Sequence, residues 1–316
     1  MFDLTIVICS HNPRADFLNR TLRALQEQTL PLENWELLLV DNASAKPLAA
    51  SWDLSWHCHG RHISEHELGL SAARQRGMQE AASDLLIFVD DDNVLDGNYL
   101  RYALEIKQSW PTLGVWGSGV INPEYELPPD AYVKRLLPYL AVRTTEKPCW
   151  SNVFSAKKAI PWGAGLCVRS KVANAYRRIC NESEIVITGR RGDALLGSED
   201  DEISRVACHY GLGMGVFPEL KLTHLIAKKR VSPEYLLQLY EGIELSDVLL
   251  EYKWTGITPS SPYRPLNLLR ILKNLVVQRG IDRRIYLANV RALVVARRII
   301  LSSHPRPSSD SVDYRR

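Results

Sequence analysis

Residues 85–93 read Leu-Leu-Ile-Phe-Val-Asp-Asp-Asp-Asn, and this stretch decides the fold. Five apolar residues before three carboxylates predict a buried strand, at 84–89, that delivers acidic groups to its C-terminal end. Ligands of open α/β sheets bind at that end of the strands. Three adjacent carboxylates repel one another, so we expect a positive group nearby. A divalent cation that carries phosphates is the simplest candidate, because Mg²⁺ and Mn²⁺ prefer oxygen ligands.

The acidic run also allows other interpretations. A solvated acidic turn is the plain alternative. A calcium loop is excluded, because it needs Asp-x-Asp-x-Asp-Gly spacing and the fifth and sixth positions from Asp90 are Val94 and Leu95. A haloacid-dehalogenase type of phosphatase fits locally at Asp90 and Asp92, but the later aspartate pair that such enzymes need is incomplete.

The segments before this strand complete a regular pattern. Apolar runs predict strands at 4–9, 35–40 and 61–63, and apolar spacing predicts helices at 15–28 and 69–82. The order strand, helix, strand, strand, helix, strand predicts a doubly wound nucleotide-binding half. Polar residues follow three of these strands, so three strand ends should meet at one crevice.

The chain after residue 96 is less regular. We expect a helix at 97–109, a glycine-rich strand at 114–119 and irregular chain at 122–158. A helix at 198–210 opens with four consecutive acids, which suits the positive end of the helix dipole. The later predicted elements are strands at 214–217 and 221–224, a helix at 232–252 and one or two basic helices.

The composition is that of an ordinary soluble globular protein, with 46% hydrophobic and 24% charged residues and a net charge of +3. The segment from Arg264 to the C-terminus contains 12 Lys and Arg against 3 Asp, so the basic charge lies away from the acidic site. Within it Arg284, Arg291 and Arg298 recur every seven residues beside apolar residues. This pattern suits a helix on an anionic membrane surface or a helix packed on the domain.

The cellular location follows from what the sequence lacks. The six cysteines contain no Cys-x-x-Cys pair, which is typical of reduced thiols. The N-terminus enters a strand without a basic start, so we expect no signal peptide. No run approaches the ~20 apolar residues that span a bilayer. We therefore expect a cytoplasmic protein, either soluble or peripheral on the inner face of the cytoplasmic membrane.

Five short motifs in a fixed order resemble a family 2 glycosyltransferase with the GT-A fold, an α/β fold built on a nucleotide-binding sheet of mixed strands flanked by helices. The resemblance covers roughly residues 3–230. The motifs are TIVICSHN at 5–12, LVDNAS at 39–44, GLSAAR at 69–74, VDDD at 89–92 and SEDDE at 198–202. Each motif is weak alone, but their order and spacing are specific.

The resemblance implies how a nucleotide-sugar donor is bound. Ser10, Asn12 and Asp41 would hold the nucleoside, with Asp41 accepting a base N–H. Arg74 would lie near the base or the diphosphate, and Asp90 would contact the ribose. A UDP-sugar is the first candidate donor. The family often has Pro-Thr-Tyr-Asn in the first loop, where this chain has Cys-Ser-His-Asn.

The resemblance also implies a metal site and a catalytic base. Asp92 and His224 would ligate Mn²⁺ or Mg²⁺ bridging the two phosphates; a strand-end histidine with a structural role is the alternative. The base that removes the acceptor hydroxyl proton would be Asp200, with Asp201 and Glu199 as fallbacks. Acid capping of the helix start is the plain alternative for these residues.

Three further features concern the acceptor and the diphosphate. Trp162 and Gly163 are a candidate acceptor platform, because an aromatic face stacks on sugar CH groups; a buried core Trp is the alternative. Gly163 and Gly165 should let backbone approach something bulky. Lys228, Lys229 and Arg230 could close over the diphosphate, or could form a solvated basic turn.

These implications define the expected enzyme and its domains. It is an inverting, metal-dependent transferase for a glycan or lipid-linked acceptor in surface polysaccharide or lipopolysaccharide biosynthesis, without nucleic acid partners. We expect a GT-A domain at 1–230, divided into a nucleotide-sugar half at 1–110 and an acceptor half at 111–230. A helical extension at 231–303 and a disordered tail at 304–316 would follow.

Two other functions stay open. A sugar-phosphate nucleotidyltransferase also uses a doubly wound sheet and metal-binding carboxylates, but it normally has a glycine-rich basic loop after the first strand. The loop at 10–14 has no glycine. A non-catalytic sugar-nucleotide-binding protein is the other option, and the complete set of carboxylates argues against it.

Overall fold

A computed structural model describes residues 2–183, 190–191 and 194–303 of the chain. The expected disordered tail at 304–316 lies outside the described residues. None of the helices in the described part of the chain has the length and apolar character that crossing a bilayer requires.

The first ninety residues form the strands and helices predicted for them, each confirmed within two or three residues. Strand ends extend slightly beyond the apolar runs, into the polar residues that follow them. The elements in chain order are β1 (Leu4–Ser10), α1 (Ala15–Gln26), β2 (Trp35–Asn42), β3 (Gly60–Glu65), α2 (Leu70–Glu80) and β4 (Leu85–Asp90).

The later elements complete the sheet and cover it with helices. Strands and helices are β5 (Asn93–Leu95), α3 (Tyr99–Ser109), β6 (Leu113–Tyr125), β7 (Arg143–Thr144), β8 (Cys149–Ser151), β9 (Leu166–Arg169), α4 (Ser170–Glu182), β10 (Arg190–Arg191), β11 (Ala194–Leu195), α5 (Glu199–His209), β12 (Gly213–Ile226), α6 (Pro233–Thr255), α7 (Pro265–Val277) and α8 (Gly280–Ser303). Two 3₁₀ segments matter for the site, at Ala131–Leu140 and Lys228–Val231.

The main sheet has the order β3-β2-β1-β4-β9-β6-β12-β5. Strands β1 to β4 run parallel, β9 runs antiparallel to β4 and β6, and β12 is parallel to β6. β7 and β8 pair with β6 and β12 outside this order, and β10 and β11 form a separate hairpin. The sheet is therefore mixed, as expected.

Alternate side chains of the central strands enter two cores, one on each face of the sheet. In β1, Leu4, Ile6 and Ile8 belong to one core and Val7 to the other. In β4, Leu85 and Ile87 share the first core, and Phe88 enters the second. Because both faces are covered, these strands are apolar on both sides, which explains their continuous apolar runs.

The two late strands predicted at 214–217 and 221–224 form one long strand, β12. A register shift against β6 falls between Phe217 and Lys221, around Pro218. Proline cannot donate a ladder hydrogen bond, and a bulge accommodates it without ending the strand. The glycine-rich strand β6 likewise continues to Tyr125, further than its apolar run.

The C-terminal helices pack onto the sheet domain through α6. Ser232 caps this helix by accepting from Tyr235 N, Pro233 occupies its first turn, and Gly256 ends it with φ 69°. Apolar residues of α6 share a core with the 3₁₀ segment Ala131–Leu140 and with α8. The predicted extension is thus helical and has its own core contact with the domain.

Candidate active site

The carboxyl ends of β1, β2 and β4 lie side by side, as their parallel pairing requires. Cys9 is in register with Asp90, and Ser10 with Asp41. The Ser10 hydroxyl donates to the carboxylate of Asp91. Burial, together with the charge of Asp92, raises the pKa of Asp91 to about 7. Asp91, to which the sequence assigned no role, is therefore a half-buried partner of Ser10.

The nucleoside-binding residues expected from the sequence form a compact loop cluster. Both oxygens of Asp41 accept backbone N–H groups of its own loop, from Ser44 at 3.1 Å and Leu48 at 2.9 Å. His11 Nδ1 lies 2.7 Å from the Asn42 carbonyl oxygen. Because a carbonyl only accepts, His11 carries its proton on Nδ1 there, and Asn12 Nδ2 donates to Nε2 at 2.9 Å. These hydrogen bonds hold the loop around Asp41 to the loop after β1.

Arg74 lies at the centre of the site and is 4% exposed. Its Nη2 is 3.6 Å from Asp90 Oδ1. Burial lowers the pKa of Arg74, but the charges of Glu199, Asp90 and Asp200 outweigh it and raise the pKa above its ordinary value. The guanidinium is therefore the expected positive group beside the acid triplet.

Two glycines bring the loop before β9 close to this guanidinium. A Cβ on Gly163 would lie 2.6 Å from Arg74 Nη2, and one on Gly165, whose φ is +74°, would lie 2.2 Å from the Tyr99 hydroxyl. As predicted, the backbone at Gly163 comes close to the Arg74 guanidinium, and the backbone at Gly165 comes close to the Tyr99 phenol. The loop reaches the acid triplet because β9 runs antiparallel to β4, with Leu166 opposite Phe88.

The acidic start of α5 faces the same loop. Asp200 Oδ2 accepts from Gly163 N at 2.7 Å. Glu199 is buried, accepts from Ser71 Oγ at 3.2 Å, and has its pKa raised by burial against the lowering effect of Arg74. Burial and the charges of Asp200 and Asp247 raise the pKa of Asp201 to about 8. These neighbouring carboxyl groups therefore differ in their surroundings.

Asp92 and His224 meet because β5 pairs antiparallel with β12, which sets Asn93 opposite His224. Asp92 Oδ2 and His224 Nε2 are 3.4 Å apart. Arg230 Nη1 lies between them, 2.6 Å from Asp92 Oδ2 and 3.1 Å from His224 Nε2. An arginine only donates, so His224 Nε2 presents its lone pair to the same point as the carboxylate.

This donor pair fits a divalent cation. A carboxylate oxygen and a neutral imidazole nitrogen both direct lone pairs at one point, as metal ligands do. No cluster of three or more His, Cys, Asp or Glu side chains suited to a metal occurs in the described part of the chain. A metal held here would therefore take its remaining oxygens from phosphates and water, as Mg²⁺ commonly does.

Charged and apolar walls enclose a cavity of about 360 Å³. The charged part of the lining includes Arg74, Asp90, Asp92, Asp200 and Arg230, and most of the rest is an apolar wall. The apolar wall consists of Leu70, Pro138, Tyr139, Leu140, Ala141, Trp162, Ala164, Leu196, Leu239 and Ile243. Helix α6 supplies two of these residues, so the C-terminal region takes part in the site.

The candidate acceptor platform is already in contact with a cation. The Arg143 guanidinium carbon lies 3.6 Å from the centroid of the Trp162 ring, so one face of the indole is covered. Trp162 is half-buried and lines the cavity. Burial lowers the pKa of Arg143 to about 10, against the charges of Asp200 and Asp201.

Sequence reasoning missed Arg143 and the position of Arg230. Arg143 lies in chain expected to be irregular, with no motif around it. Arg230 belongs to a run of three basic residues of which Lys228 and Lys229 are exposed, as a solvated turn predicts, but Arg230 is 8% exposed. The apolar Val231 after it was the only local signal that this turn enters the core.

Comparison with known proteins gives consistent matches. The family model for glycosyl transferase family 2 matches residues 5–178. Glycosyltransferase AglE of Haloferax volcanii is 28% identical over 92 residues, which cover 28% of this chain and 30% of that protein. The match thus spans about a third of the relative's length.

Two solved structures share the fold. Mannosyltransferase PcManGT from Pyrobaculum calidifontis, in complex with GDP-Man and Mn²⁺, has a TM-score of 0.51 at 14% identity, covering 95% of this chain and 73% of its own. GalNAc-T7 with UDP, GalNAc and Mn²⁺ has a TM-score of 0.51 at 16% identity, covering 87% of this chain and 55% of its own.

Proposed function

The chain belongs to glycosyltransferase family 2 and has the GT-A fold, and from this premise we propose that it transfers a sugar, with inversion, from a nucleotide-diphosphate sugar to a glycan or lipid-linked acceptor. One observation carries the proposal. A single cavity brings the acid triplet, the buried Arg74 and the acidic start of α5 together, although they are far apart in sequence. A nucleotide-sugar transferase needs these three groups in one place.

The donor would bind along the carboxyl ends of the parallel strands. Ser10, Asn12 and Asp41 form the nucleoside cluster, and Asp90 faces the ribose. Arg74 is a buried cation, and a diphosphate approaching it exchanges water for charge-assisted hydrogen bonds. Because the loop cluster is already hydrogen-bonded, little conformational entropy is lost on binding.

Asp92 and His224 would hold the metal, and either Mn²⁺ or Mg²⁺ suits an oxygen-rich site completed by phosphates. The ion would supply electrostatic stabilisation of the nucleoside diphosphate as it leaves. Arg74 adds fixed positive charge at the same end of the cavity. The Mn²⁺ bound by the mannosyltransferase and by GalNAc-T7 supports this choice by analogy.

Asp200 is the proposed base. Inversion requires one group to take the acceptor hydroxyl proton opposite the leaving diphosphate. Asp200 lines the cavity and is oriented by the Gly163 N–H. Glu199 is buried beside Ser71, where its charge and that of Arg74 favour each other, and Asp201 keeps its proton at neutral pH.

The acceptor would enter along the apolar wall of the cavity. Tyr139, Leu140 and Ile243 offer contacts to the CH faces of a sugar or to a lipid chain, with Trp162 and Gly163 beside the reacting hydroxyl. A glycan or lipid-linked acceptor would make these contacts. We place the reaction in surface polysaccharide or lipopolysaccharide biosynthesis, at the inner face of the cytoplasmic membrane.

Contact with that membrane would come from α7. Leu269, Leu272 and Val276 are 60–80% exposed on this helix, next to the exposed Arg270 and Lys273. An exposed apolar face bordered by basic residues favours an anionic lipid surface. The heptad arginines of α8 are less available, because Arg284 and Arg291 pair with acids of α6.

A donor screen tests the function directly. The folded protein is titrated with UDP-, GDP- and dTDP-sugars in the presence of Mn²⁺, and binding heat and nucleotide release are measured. We expect one nucleotide class to bind and to be hydrolysed slowly in the absence of acceptor. A folded protein that binds none of the donors would refute the proposed function.

A further inference from the structure

The turn after β12 carries three basic residues, two of which face solvent and one of which is buried in the site. Lys228 and Lys229 are exposed, whereas Arg230 is buried and donates to both Asp92 and His224. The turn is anchored from outside the site, because Lys228 N donates to Glu126 Oε2 at 2.8 Å. The backbone of the turn is therefore held by a contact that does not involve the Arg230 side chain.

We propose that Arg230 is an internal cation that competes with a metal ion for Asp92 and His224 and contacts the phosphates instead when metal and nucleotide bind. The inference rests on the proposed function, since the metal and the diphosphate belong to that reaction. Both the guanidinium and a metal ion need the same two lone pairs, on Asp92 Oδ2 and His224 Nε2. The two cations exclude each other sterically and by charge.

The resting position of Arg230 leaves part of its hydrogen-bonding capacity unused. Arg230 Nε is buried and has no acceptor among the described residues, and neither has His224 Nδ1 a partner there. A buried donor without a partner is unfavourable. Phosphate oxygens beside a metal at Asp92 would accept from the displaced guanidinium, so displacement gains hydrogen bonds for the arginine.

This exchange predicts an order of events. A metal ion alone has to displace Arg230 into a cavity without phosphates, so it binds weakly. A metal ion with a nucleoside diphosphate offers the guanidinium a new anionic partner, so the two ligands favour each other's binding. Such coupling is reciprocal, because both ligands bias the same position of one side chain.

The test uses Mn²⁺ alone, without any sugar nucleotide. Free Mn²⁺ is measured by electron paramagnetic resonance during titration of the wild-type protein, Arg230→Gln and the control Lys229→Gln, which removes an exposed charge from the same turn. We expect Arg230→Gln to bind Mn²⁺ about tenfold more tightly or better, because a positive charge has left the site. Lys229→Gln should match the wild type.

A second titration with UDP completes the test. UDP should tighten Mn²⁺ binding strongly in the wild type and much less in Arg230→Gln, where no guanidinium remains to be displaced. Adding Asp92→Asn to Arg230→Gln should abolish the gain, which assigns the bound Mn²⁺ to this site. An Arg230→Gln protein that is folded by circular dichroism but binds Mn²⁺ no more tightly than the wild type would overturn the inference.

A measurement on the wild-type protein covers the case in which Arg230→Gln does not fold. Arginine side-chain ¹⁵N signals are followed by NMR during addition of Mg²⁺ with UDP, and a shift of the Arg230 guanidinium signal on Mg²⁺ with UDP, but not on Mg²⁺ alone, is expected. An unchanged signal with UDP bound contradicts the displacement. Absence of nucleotide binding would instead count against the proposed function.

Discussion

Two adjacent aspartates at the start of α5 differ because of what surrounds each one. Asp200 accepts the Gly163 N–H at the edge of the cavity. Asp201 also lines the cavity and is half-buried, and burial and the charges of Asp200 and Asp247 raise its pKa to about 8. Asp201 therefore keeps its proton at neutral pH, and Asp200, which lines the cavity and accepts from Gly163 N, is the proposed base.

Asp200→Asn should lower the rate of sugar transfer by about 10³-fold, because the proposed general base is lost. Donor affinity should be unchanged, since an asparagine oxygen still accepts from Gly163 N and the donor-binding groups are intact. Transfer rate and calorimetric donor binding are the two measurements. Asp201→Asn is the matched control and should retain most of the activity. Lost donor binding in Asp200→Asn would place Asp200 with the metal ligands instead.

The raised pKa of Asp201 predicts a pH-dependent stability. Between about pH 4 and pH 8 the unfolded chain has released this proton and the folded chain keeps it, so this group's contribution to stability falls as pH rises to 8. Asp201→Asn should melt like the wild type at about pH 4 and about 3 °C or more above it at pH 8.5. Thermal unfolding at both pH values checks this. An equal difference at the two pH values would contradict the assigned pKa.

At the scale of elements, the position of α5 determines where Asp200 lies, and α6 holds α5 in place. Glu202 of α5 and Lys253 of α6 form an ion pair at 2.7 Å, with side chains 0% and 7% exposed. A second pair between the same helices, Arg205 with Glu251, lies at the surface at 2.9 Å. The two pairs join one interface, and only the first is buried.

Lys253→Met should lower the free energy of unfolding by about 3–5 kcal/mol, because it leaves the Glu202 carboxylate buried and unpaired. Combining it with Glu202→Gln should recover most of the loss. Glu251→Gln, in the surface pair, should cost less than about 1 kcal/mol. Urea unfolding of the four proteins measures these values. Equal losses for the two single changes at Lys253 and Glu251 would show that burial does not distinguish the pairs.

At the scale of the whole molecule, the charge is divided between the catalytic domain and its C-terminal helices. The acid triplet and the acids of α5 lie around the cavity, and the net positive charge lies beyond residue 264. Helix α6 belongs to both parts, because it lines the cavity and also packs against α8. A membrane bound through α7 would therefore be connected to the acceptor wall by a continuous helical layer.

Vesicle binding tests this arrangement. The protein should sediment with phosphatidylglycerol vesicles and much less with phosphatidylcholine vesicles, and high salt should weaken the interaction. Leu269→Gln with Leu272→Gln should reduce binding about tenfold, since two exposed apolar side chains no longer insert. Val153→Gln, which changes an equally exposed apolar residue elsewhere, is the control. Unchanged binding of the α7 variant would exclude this face.

The local patterns of the sequence were sufficient for the fold class and for most elements. The runs around Leu85 and Leu37 predicted buried strands because both faces of a covered sheet require apolar side chains. The GT-A fold and the family are confirmed. The roles of the individual site residues stay predictions, and the experiments above test them.

Other features depended on contacts between residues distant in the chain, which no local pattern encodes. The pairing of β5 with β12 brings Asp92 to His224, and the antiparallel course of β9 brings Gly163 to Arg74 and Asp200. The sequence by itself determined which residues end strands and carry charge. That Arg230 lies between Asp92 and His224 follows from the tertiary structure alone, because its burial depends on how the turn after β12 packs and not on its own neighbours in sequence.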